Sequence, residues 1–140
     1  MVKTAVLMAT YNGEKFISEQ LDSIRQQTLK PDYVLLRDDC STDETVNVVN
    51  NYIAKHGLEG WKIVKNDKNL GWRLNFRQLL IDVLAYEVVF FSDQDDIWYL
   101  DKNERQFAIM SDNPQIEVLS ADVDIKTMST EASVPYFLTF

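Results

Sequence analysis

The sequence predicts an α/β fold in which a mainly parallel sheet carries helices on both faces. Short apolar segments of strand length alternate with amphipathic segments of helix length along the 140 residues. The strand segments are apolar on both sides, which is typical of strands buried between two helical layers. A chain of this length fits one domain and can bury a real core.

The first part of the chain contains two predicted strands with a helix between them. Thr4–Ala9 is an apolar run that predicts a buried strand, and the turn residues Asn12–Gly13 end it. Glu14–Gln27 then places apolar side chains at helical spacing among polar ones, which predicts an amphipathic helix. After a proline, Tyr33–Leu36 predicts the second strand.

A capping box predicts the start of the second helix. Ser41–Glu44 has the Ser-x-x-Glu pattern whose two side chains satisfy helix N–H groups, and the helix is expected to run to about Lys55. The remaining predicted elements are a strand at Trp61–Val64, a helix at Arg73–Ala85, a strand at Val88–Ser92, a helix at Lys102–Ser111 and a fifth strand at Ile116–Ala121.

Composition and charge narrow the class of protein. A net charge of −8 argues against a surface that binds nucleic acid or anionic lipid, but not against a nucleotide held by local donors or a bridging metal. The single Cys40 excludes an internal disulfide or a cysteine-cluster zinc site, and the single His56 excludes a multi-histidine metal site.

No apolar stretch approaches the roughly 20 residues of a membrane span, and the N-terminus does not resemble a signal peptide. We expect a cytoplasmic protein, with docking on the inner face of the cell membrane left to segments outside this chain.

The most informative segment is the strand Val88–Ser92 and the acidic residues after it. This apolar strand brings Asp93, Asp95 and Asp96 to one point. Like charges so close repel one another, which favours a bound cation or polar ligand. Carboxylate oxygens are the ligands that Mg²⁺ and Mn²⁺ prefer, often together with substrate phosphates. The alternative is a solvated acidic turn that caps the following helix.

Polar residues follow three of the predicted strands. In a parallel sheet the carboxyl ends of the strands lie on one rim, where ligands bind. A Tyr or Thr side chain there can contact a planar base, and an Asp can accept a hydrogen bond from a base N–H or a ribose hydroxyl. The chain lacks both Gly-rich phosphate-binding motifs, so the pattern predicts a nucleotide site that depends on a metal. The residues at the three strand ends are Thr10, Tyr11 and Asn12, then Arg37, Asp38 and Asp39, then Asp93, Asp95 and Asp96.

Four segments in order resemble a known family. MATYNGEKFISEQLDSIRQQT, RDDCSTDETVNVV, NDKNLGWRLNF and FFSDQDDIW are similar to the N-terminal part of family 2 glycosyltransferases with the Rossmann-like GT-A fold. The resemblance extends from about Thr4 to Ala121. The bacterial rhamnosyltransferase-like branch is the most similar, and that resemblance alone suggests rhamnose as the transferred sugar.

The resemblance implies roles for individual residues in nucleotide binding. The turn at Ala9, Thr10 and Tyr11 would border the base, with the Tyr11 ring along it. Asp39 would accept a hydrogen bond from the base N–H, and Asp93 would lie near the ribose. In the third segment, Asn69, Gly71 and Asn75 match the family pattern, and Arg73 could approach the diphosphate.

The resemblance also implies a Mn or Mg site. Asp95 would be the direct metal ligand, Asp93 belongs to the same DxD-like motif, and Asp96 would be either a second ligand or a supporting group. Trp98 would pack beneath this loop. The implied partners are a UDP- or dTDP-linked sugar and an acceptor glycan or lipid-linked glycan in the synthesis of cell-surface polysaccharide.

The catalytic base stays unknown in the sequence. In the family the base lies in a later segment, and Asp122 and Asp124 do not match it convincingly. We therefore expect residues 1–140 to be the donor-binding part of a GT-A domain that is truncated at its C-terminus, with little or no transferase activity of its own.

Several alternatives stay open at this point. A receiver-type phosphoacceptor domain has similar size and alternation, but its acidic pair would follow the first strand, and a lysine would end the fifth. A phosphatase of the haloacid dehalogenase type would place its DxD motif after the first strand. The same fold could also serve only as an interaction surface.

Individual side chains have alternatives as well. Asp38 could pair with Arg37 or cap the helix at Ser41, and Asp43 fits a residue that favours a helix dipole. Trp72 and Trp98 are expected to pack in the core or at its rim rather than to stack on a sugar. Arg73 could equally be a solvated helix residue.

Overall fold

The computed structural model describes residues 2–127 and 135–139, with side chains described up to Asp124. These residues group into two compact units, one of residues 1–18 with 31–94 and one of residues 19–30 with 95–140. The elements are β1 (Thr4–Thr10), α1 (Ile17–Arg25), β2 (Tyr33–Asp38), α2 (Thr45–His56), β3 (Trp61–Lys65), α3 (Trp72–Asp82), β4 (Val88–Ser92), α4 (Lys102–Asp112), β5 (Val123–Thr127) and β6 (Pro135–Thr139).

The first unit is built on a four-stranded sheet in the order β3-β2-β1-β4. All three pairings are parallel, so the predicted parallel sheet is confirmed. Leu7 of β1 is in register with Leu35 of β2 and Phe91 of β4. Thr10 is likewise in register with Asp38, which places the carboxyl ends of β1 and β2 side by side.

Both faces of this sheet are covered. On one face, Leu79 and Val83 pack with the sheet residues Ala5, Leu7 and Leu35 in a single buried cluster. Successive strand residues point to opposite faces. The alternate residues Val6, Met8, Val34 and Leu36 are fully buried as well. Burial on both sides explains why the strands are apolar along their whole length.

The start of α2 differs from the prediction. The helix begins at Thr45, and Glu44 in the N-cap position makes no side-chain capping bond. The predicted capping box is therefore wrong, because Ser41 donates its hydroxyl to the buried carboxylate of Asp38 instead. Asp43 bonds instead to the first residue of the helix, since its Oδ1 accepts the Thr45 N–H at 3.0 Å. A buried carboxylate needs donors more than a helix end does, because water can satisfy the latter.

The second unit contains most of α1, the helix α4 and an antiparallel hairpin of β5 and β6. The predicted fifth strand at Ile116–Ala121 is wrong, since those residues form no strand and β5 begins at Val123. The segment has the apolar residues of a strand, but no neighbouring strand in the described structure pairs with it. In the part of the chain that the structure describes, no helix is long and apolar enough to cross a membrane.

Candidate functional site

The ends of β1 and β2 are joined by a buried hydrogen bond. Thr10 donates its hydroxyl to Asp38 Oδ1 at 2.9 Å, and Ser41 donates its N–H to Asp38 Oδ2 at 2.8 Å. Asp38 therefore bonds to Ser41, as one alternative predicted, but within the turn before α2 rather than as a helix cap, because α2 begins only at Thr45. The predicted pairing with Arg37 is wrong, because Arg37 forms an ion pair with Asp82. Asp38 is a structural carboxylate of this rim.

The loops that follow β1 and β2 are bonded to each other through a series of backbone–side-chain contacts. Gly13 donates its N–H to Thr45 Oγ1, and Asn12 donates its N–H to Ser41 Oγ, both at 2.8 Å. Further bonds connect Asn12 Oδ1 with Thr42 N, Glu14 N with Asp43 Oδ2 and Glu14 Oε2 with Glu44 N. These contacts give the rim a defined backbone path where the sequence predicts only turns.

The loop after β1 is also tied to the end of β4. Gln94 Oε1 accepts the Tyr11 N–H and Gln94 Nε2 donates to the Tyr11 carbonyl, each at 2.9 Å. A Cβ added to Gly13 would overlap the Gln94 amide, so a glycine is required for this approach. The Tyr11 side chain itself is 49% exposed. The structure thus holds the Tyr11 backbone and leaves the ring accessible.

Asp39 is buried and fixed by the start of α3. Its Oδ1 accepts from Leu70 N at 2.6 Å and its Oδ2 accepts from Gly71 N at 2.8 Å. Asn66 Nδ2 gives Oδ1 a third bond at 2.9 Å. A carboxylate can accept about four hydrogen bonds. Asp39 therefore keeps an acceptor position while its orientation is set by the backbone of the α3 N-terminus.

Asn75 connects Asp39 to the rest of the rim. It is 1% exposed, accepts from Asn66 Nδ2 at 3.0 Å and donates to the Arg37 carbonyl at 2.8 Å. Asn66 in turn accepts from Arg37 Nη1 at 2.8 Å. Asn75 thus holds Asn66, which holds Asp39. A direct contact between Asn75 and a nucleotide stays a prediction.

The first turn of α3 is exposed beside Asp39. Trp72 is 67% exposed, so its expected packing in the core is wrong, and its ring lies 5.0 Å from the Arg73 guanidinium carbon. Together with Leu70, Gly71 and Leu74, these two residues line an open cavity of about 320 Å³. The approach of Arg73 to a diphosphate stays a prediction, and the structure places this side chain at the surface.

The acidic residues after β4 have unlike environments. Asp93, in the first unit, is exposed, and in the second unit Asp95 is exposed whereas Asp96 is only 6% exposed. Within residues 2–127 and 135–139, no three His, Cys, Asp or Glu side chains are grouped to hold a metal ion. The exposed carboxylates are the hard oxygen donors that suit Mg²⁺ or Mn²⁺, which bind one or two carboxylates and fill the remaining positions with phosphate oxygens and water.

In the second unit, the segment after Asp96 is held to α1 and its following turn. Gln27 Nε2 donates to the Tyr99 carbonyl at 2.7 Å, and Gln27 Oε1 accepts the Asn103 N–H at 3.0 Å. Ser23 Oγ accepts the Trp98 N–H at 3.1 Å. Sequence reasoning missed Ser23, Gln27 and Asn103 because single polar residues on an amphipathic helix carry no periodic signal.

Trp98 and Lys102 form a buried pair in the same segment. Trp98 is buried, which confirms the expected packing in the core or at its rim, and Lys102 Nζ lies 3.7 Å from its ring centroid. Burial lowers the pKa of Lys102 to about 8, and the charge of Asp96 opposes that shift. Lys102 was not among the predicted site residues.

Asp124, one of the two acids considered as a base, lies at the second residue of β5. It accepts a hydrogen bond from the Tyr99 hydroxyl at 2.8 Å, and this bond raises the pKa of Tyr99. Asp122 is exposed just before the strand. The structure adds no feature that singles out either acid as a catalytic base.

The parallel sheet, with polar residues at the carboxyl ends of its strands, defines an α/β protein of the class in which ligands bind at that edge of the sheet. A family model described as glycosyl transferase family 2 matches residues 5–133. The chain belongs to this family, as its motifs predict. The match gives no support to the receiver-type alternative.

Two curated relatives illustrate the similarity. The dTDP-rhamnosyl transferase RfbG of Shigella flexneri is 40% identical over 97 residues, which cover 68% of this chain and 34% of RfbG. The poly(ribitol-phosphate) beta-N-acetylglucosaminyltransferase TarS of Staphylococcus aureus is 36% identical over 104 residues, which cover 73% of this chain and 17% of TarS. The chain thus spans about a third or less of the length of these relatives.

Solved structures confirm the GT-A fold. S. aureus TarS 1–349 in complex with UDP matches with a TM-score of 0.71 at 27% identity, over 95% of this chain and 38% of that one. A mannosyltransferase from Pyrobaculum calidifontis, in complex with GDP-Man and Mn²⁺, matches with a TM-score of 0.73 at 23% identity. The match covers 89% of this chain and 35% of the mannosyltransferase chain. The second likeness concerns the fold alone.

Proposed function

We propose that this chain forms the donor-binding part of a glycosyltransferase that moves a sugar from a nucleoside diphosphate to a hydroxyl of an acceptor glycan. The observation that carries the proposal is the common rim of β1, β2 and β4, where Tyr11, Asp39 and Asp93 follow three neighbouring parallel strands. Membership of glycosyl transferase family 2 supports the class of reaction.

The rim offers distinct contacts to a nucleotide. The exposed Tyr11 ring can lie along a base, with Ala9 and Thr10 beneath it, while Asp39 accepts the base N–H with its remaining acceptor position. Asp93 accepts from ribose hydroxyls. Arg73 supplies an exposed positive charge for the diphosphate, and Asn75 keeps Asp39 in position through Asn66. Because Asp39 is fixed before any ligand arrives, binding does not have to order it.

A Mn²⁺ or Mg²⁺ ion belongs to the proposal. Asp95 is the direct ligand in our assignment, with Asp93 and Asp96 as the other acids of the predicted set. When bound, the ion neutralises the charge that develops on the departing diphosphate. The chain is acidic overall, with a net charge of −8, and this charge favours the approach of a cation.

A UDP- or dTDP-linked sugar is the proposed donor. RfbG is named as a dTDP-rhamnosyl transferase and TarS was solved with UDP, which supports these two nucleotides. An acceptor glycan or lipid-linked glycan completes the proposal, with a cytoplasmic location for the enzyme, at or near the inner face of the cell membrane. We assign no residue of this chain as the catalytic base and expect donor binding without robust sugar transfer.

Calorimetric titration with UDP, dTDP and GDP, each with and without Mn²⁺, tests this proposal. We expect UDP or dTDP to bind in a metal-dependent way, and Asp95→Ala to remove the metal dependence. Asp112→Ala, at an exposed acid on α4, is the matched control and should leave the isotherms unchanged. Absence of nucleotide binding in the presence of Mn²⁺ would overturn the proposal.

A further inference from the structure

Lys102 is a buried cation that the proposed donor contacts do not use. It is 5% exposed at the first residue of α4. Its Nζ donates to Gln106 Oε1 at 3.1 Å and lies over the Trp98 ring at 3.7 Å from the centroid. Lysine is rarely buried to this extent unless it is paired, so the position calls for a partner of opposite charge.

The negative charge of Asp96 opposes the effect of burial on the pKa of Lys102. The two interact electrostatically, and Asp96 is itself nearly buried at 6% exposure. Its sequence neighbour Asp95 is exposed. A buried carboxylate is stable as an ion only when it is paired or hydrogen-bonded. The two adjacent acids thus differ in environment: the Asp96 carboxylate is nearly buried, whereas the Asp95 carboxylate is exposed.

The segment that carries these groups has little freedom. Gln27 bonds to both Tyr99 and Asn103, and the Thr28 N–H donates to the Leu100 carbonyl at 2.8 Å. The backbone that follows Asp96 is therefore held at these points, and the Asp96 side chain itself is nearly buried.

We propose that Lys102 is a positioning residue of the donor site. Its ammonium group, which lies against the Trp98 ring, is the counter-charge of the nearly buried Asp96 carboxylate and holds it in place. This contact fixes the direction in which the neighbouring Asp95 carboxylate faces a divalent cation. The anchoring is a property of the chain itself, whereas the consequence for the cation rests on the proposed function. Groups that orient a metal ligand commonly change metal affinity by 10- to 100-fold when they are removed.

The anchoring can be tested on the free chain by NMR with labelled lysine. We expect the ε-methylene protons of Lys102 to be shifted upfield by the Trp98 ring, apart from those of exposed lysines. Asp96→Asn should move these signals toward the exposed lysines, while the control Asp95→Asn should leave them in place. Signals at the ordinary lysine position, or an equal response to both variants, would overturn the proposal.

The consequence for the cation can be tested by titrating Mn²⁺ into the nucleotide-saturated chain. Lys102→Met should weaken Mn²⁺ binding by about 10- to 100-fold, Lys102→Arg should recover part of this loss, and Lys55→Met at an exposed lysine should change nothing. Nucleotide affinity without metal should stay the same in all three variants. Wild-type Mn²⁺ affinity in Lys102→Met, or an equal loss of metal-free nucleotide affinity, would contradict the positioning role.

The two tests distinguish a failure of the Lys102–Asp96 anchoring from a failure of the proposed donor binding, on which the effect on the cation rests. A chain that binds no nucleotide at all would overturn the proposed function. The NMR comparison of Asp96→Asn with Asp95→Asn needs no ligand, and it retains Lys102, so it decides the anchoring even if Lys102→Met does not fold.

Discussion

The side-chain amide of Gln94 pairs with both polar backbone groups of Tyr11, with two bonds of 2.9 Å. The two bonds extend the hydrogen bonding between β1 and β4 beyond Met8 and Ser92, the last residues that the two strands pair. They join residues that are 83 positions apart in sequence. The geometry of the β1 loop therefore depends on the residue between the two aspartates of the Asp93–Asp95 motif.

Replacing Gln94 should weaken nucleotide binding. Gln94→Ala removes two hydrogen bonds that hold the Tyr11 backbone, each of about 1 kcal/mol, so we expect a loss of about 5- to 30-fold in UDP or dTDP affinity by calorimetry. Gln115→Ala, at an exposed glutamine, is the control. Unchanged affinity in Gln94→Ala would show that the Tyr11 backbone needs no such support.

A methyl group at Gly13 should act through Gln94. The added Cβ would overlap Gln94 Oε1 and push the amide away from Tyr11. Gly13→Ala should thus resemble Gln94→Ala in affinity, and the double variant should lose little more than either single one. A double-mutant cycle by calorimetry measures this, and full additivity would mean that the two changes act separately.

Asn75 should be important for stability. Asn75→Ala leaves the buried Arg37 carbonyl and the Asn66 amide each without one partner, which costs about 1–3 kcal/mol in the free energy of unfolding. Urea denaturation measures the change. Asn51→Ala, at an exposed position of α2, should cost far less, and equal effects of the two variants would contradict a structural role for the buried network.

Asp43 should make stability depend on pH in the acid range. Slight burial raises its pKa, but hydrogen bonds from Thr45 and Glu14 outweigh this, so the pKa is lowered from 3.8. A lowered pKa in the folded state stabilises the protein above the unfolded value, and this contribution is lost as the pH falls through the folded value.

The pH dependence is measured by comparing the wild type with Asp43→Asn in urea denaturation. The wild type should be more stable at neutral pH, and its advantage should shrink between about pH 5 and pH 3. A difference between the two proteins that does not change with pH would show that the Asp43 charge does not contribute.

Much of the fold could be predicted because its signals are local. β4 has the predicted bounds, and the predicted β1 and β3 differ from the observed strands by one residue at the C-terminal end. Two elements were predicted wrongly. Ser41–Glu44 satisfies the capping pattern, but its serine binds Asp38, and Ile116–Ala121 is apolar but finds no strand to pair with. The first outcome depends on the burial of Asp38, and the second depends on which strands the fold brings alongside.

The sequence by itself determined the parallel sheet and the rim on which Tyr11, Asp39 and Asp93 lie, because apolar strands that alternate with helices predict parallel strands, whose carboxyl ends lie at one edge of the sheet. Only the tertiary structure decided which polar groups are buried and what holds them. The three donors to Asp39 and the Gln94–Tyr11 pairing join segments that share no sequence pattern. No sequence pattern marks Lys102 as a side chain that is buried against Trp98. A polar side chain is buried only where the folded chain supplies its partners.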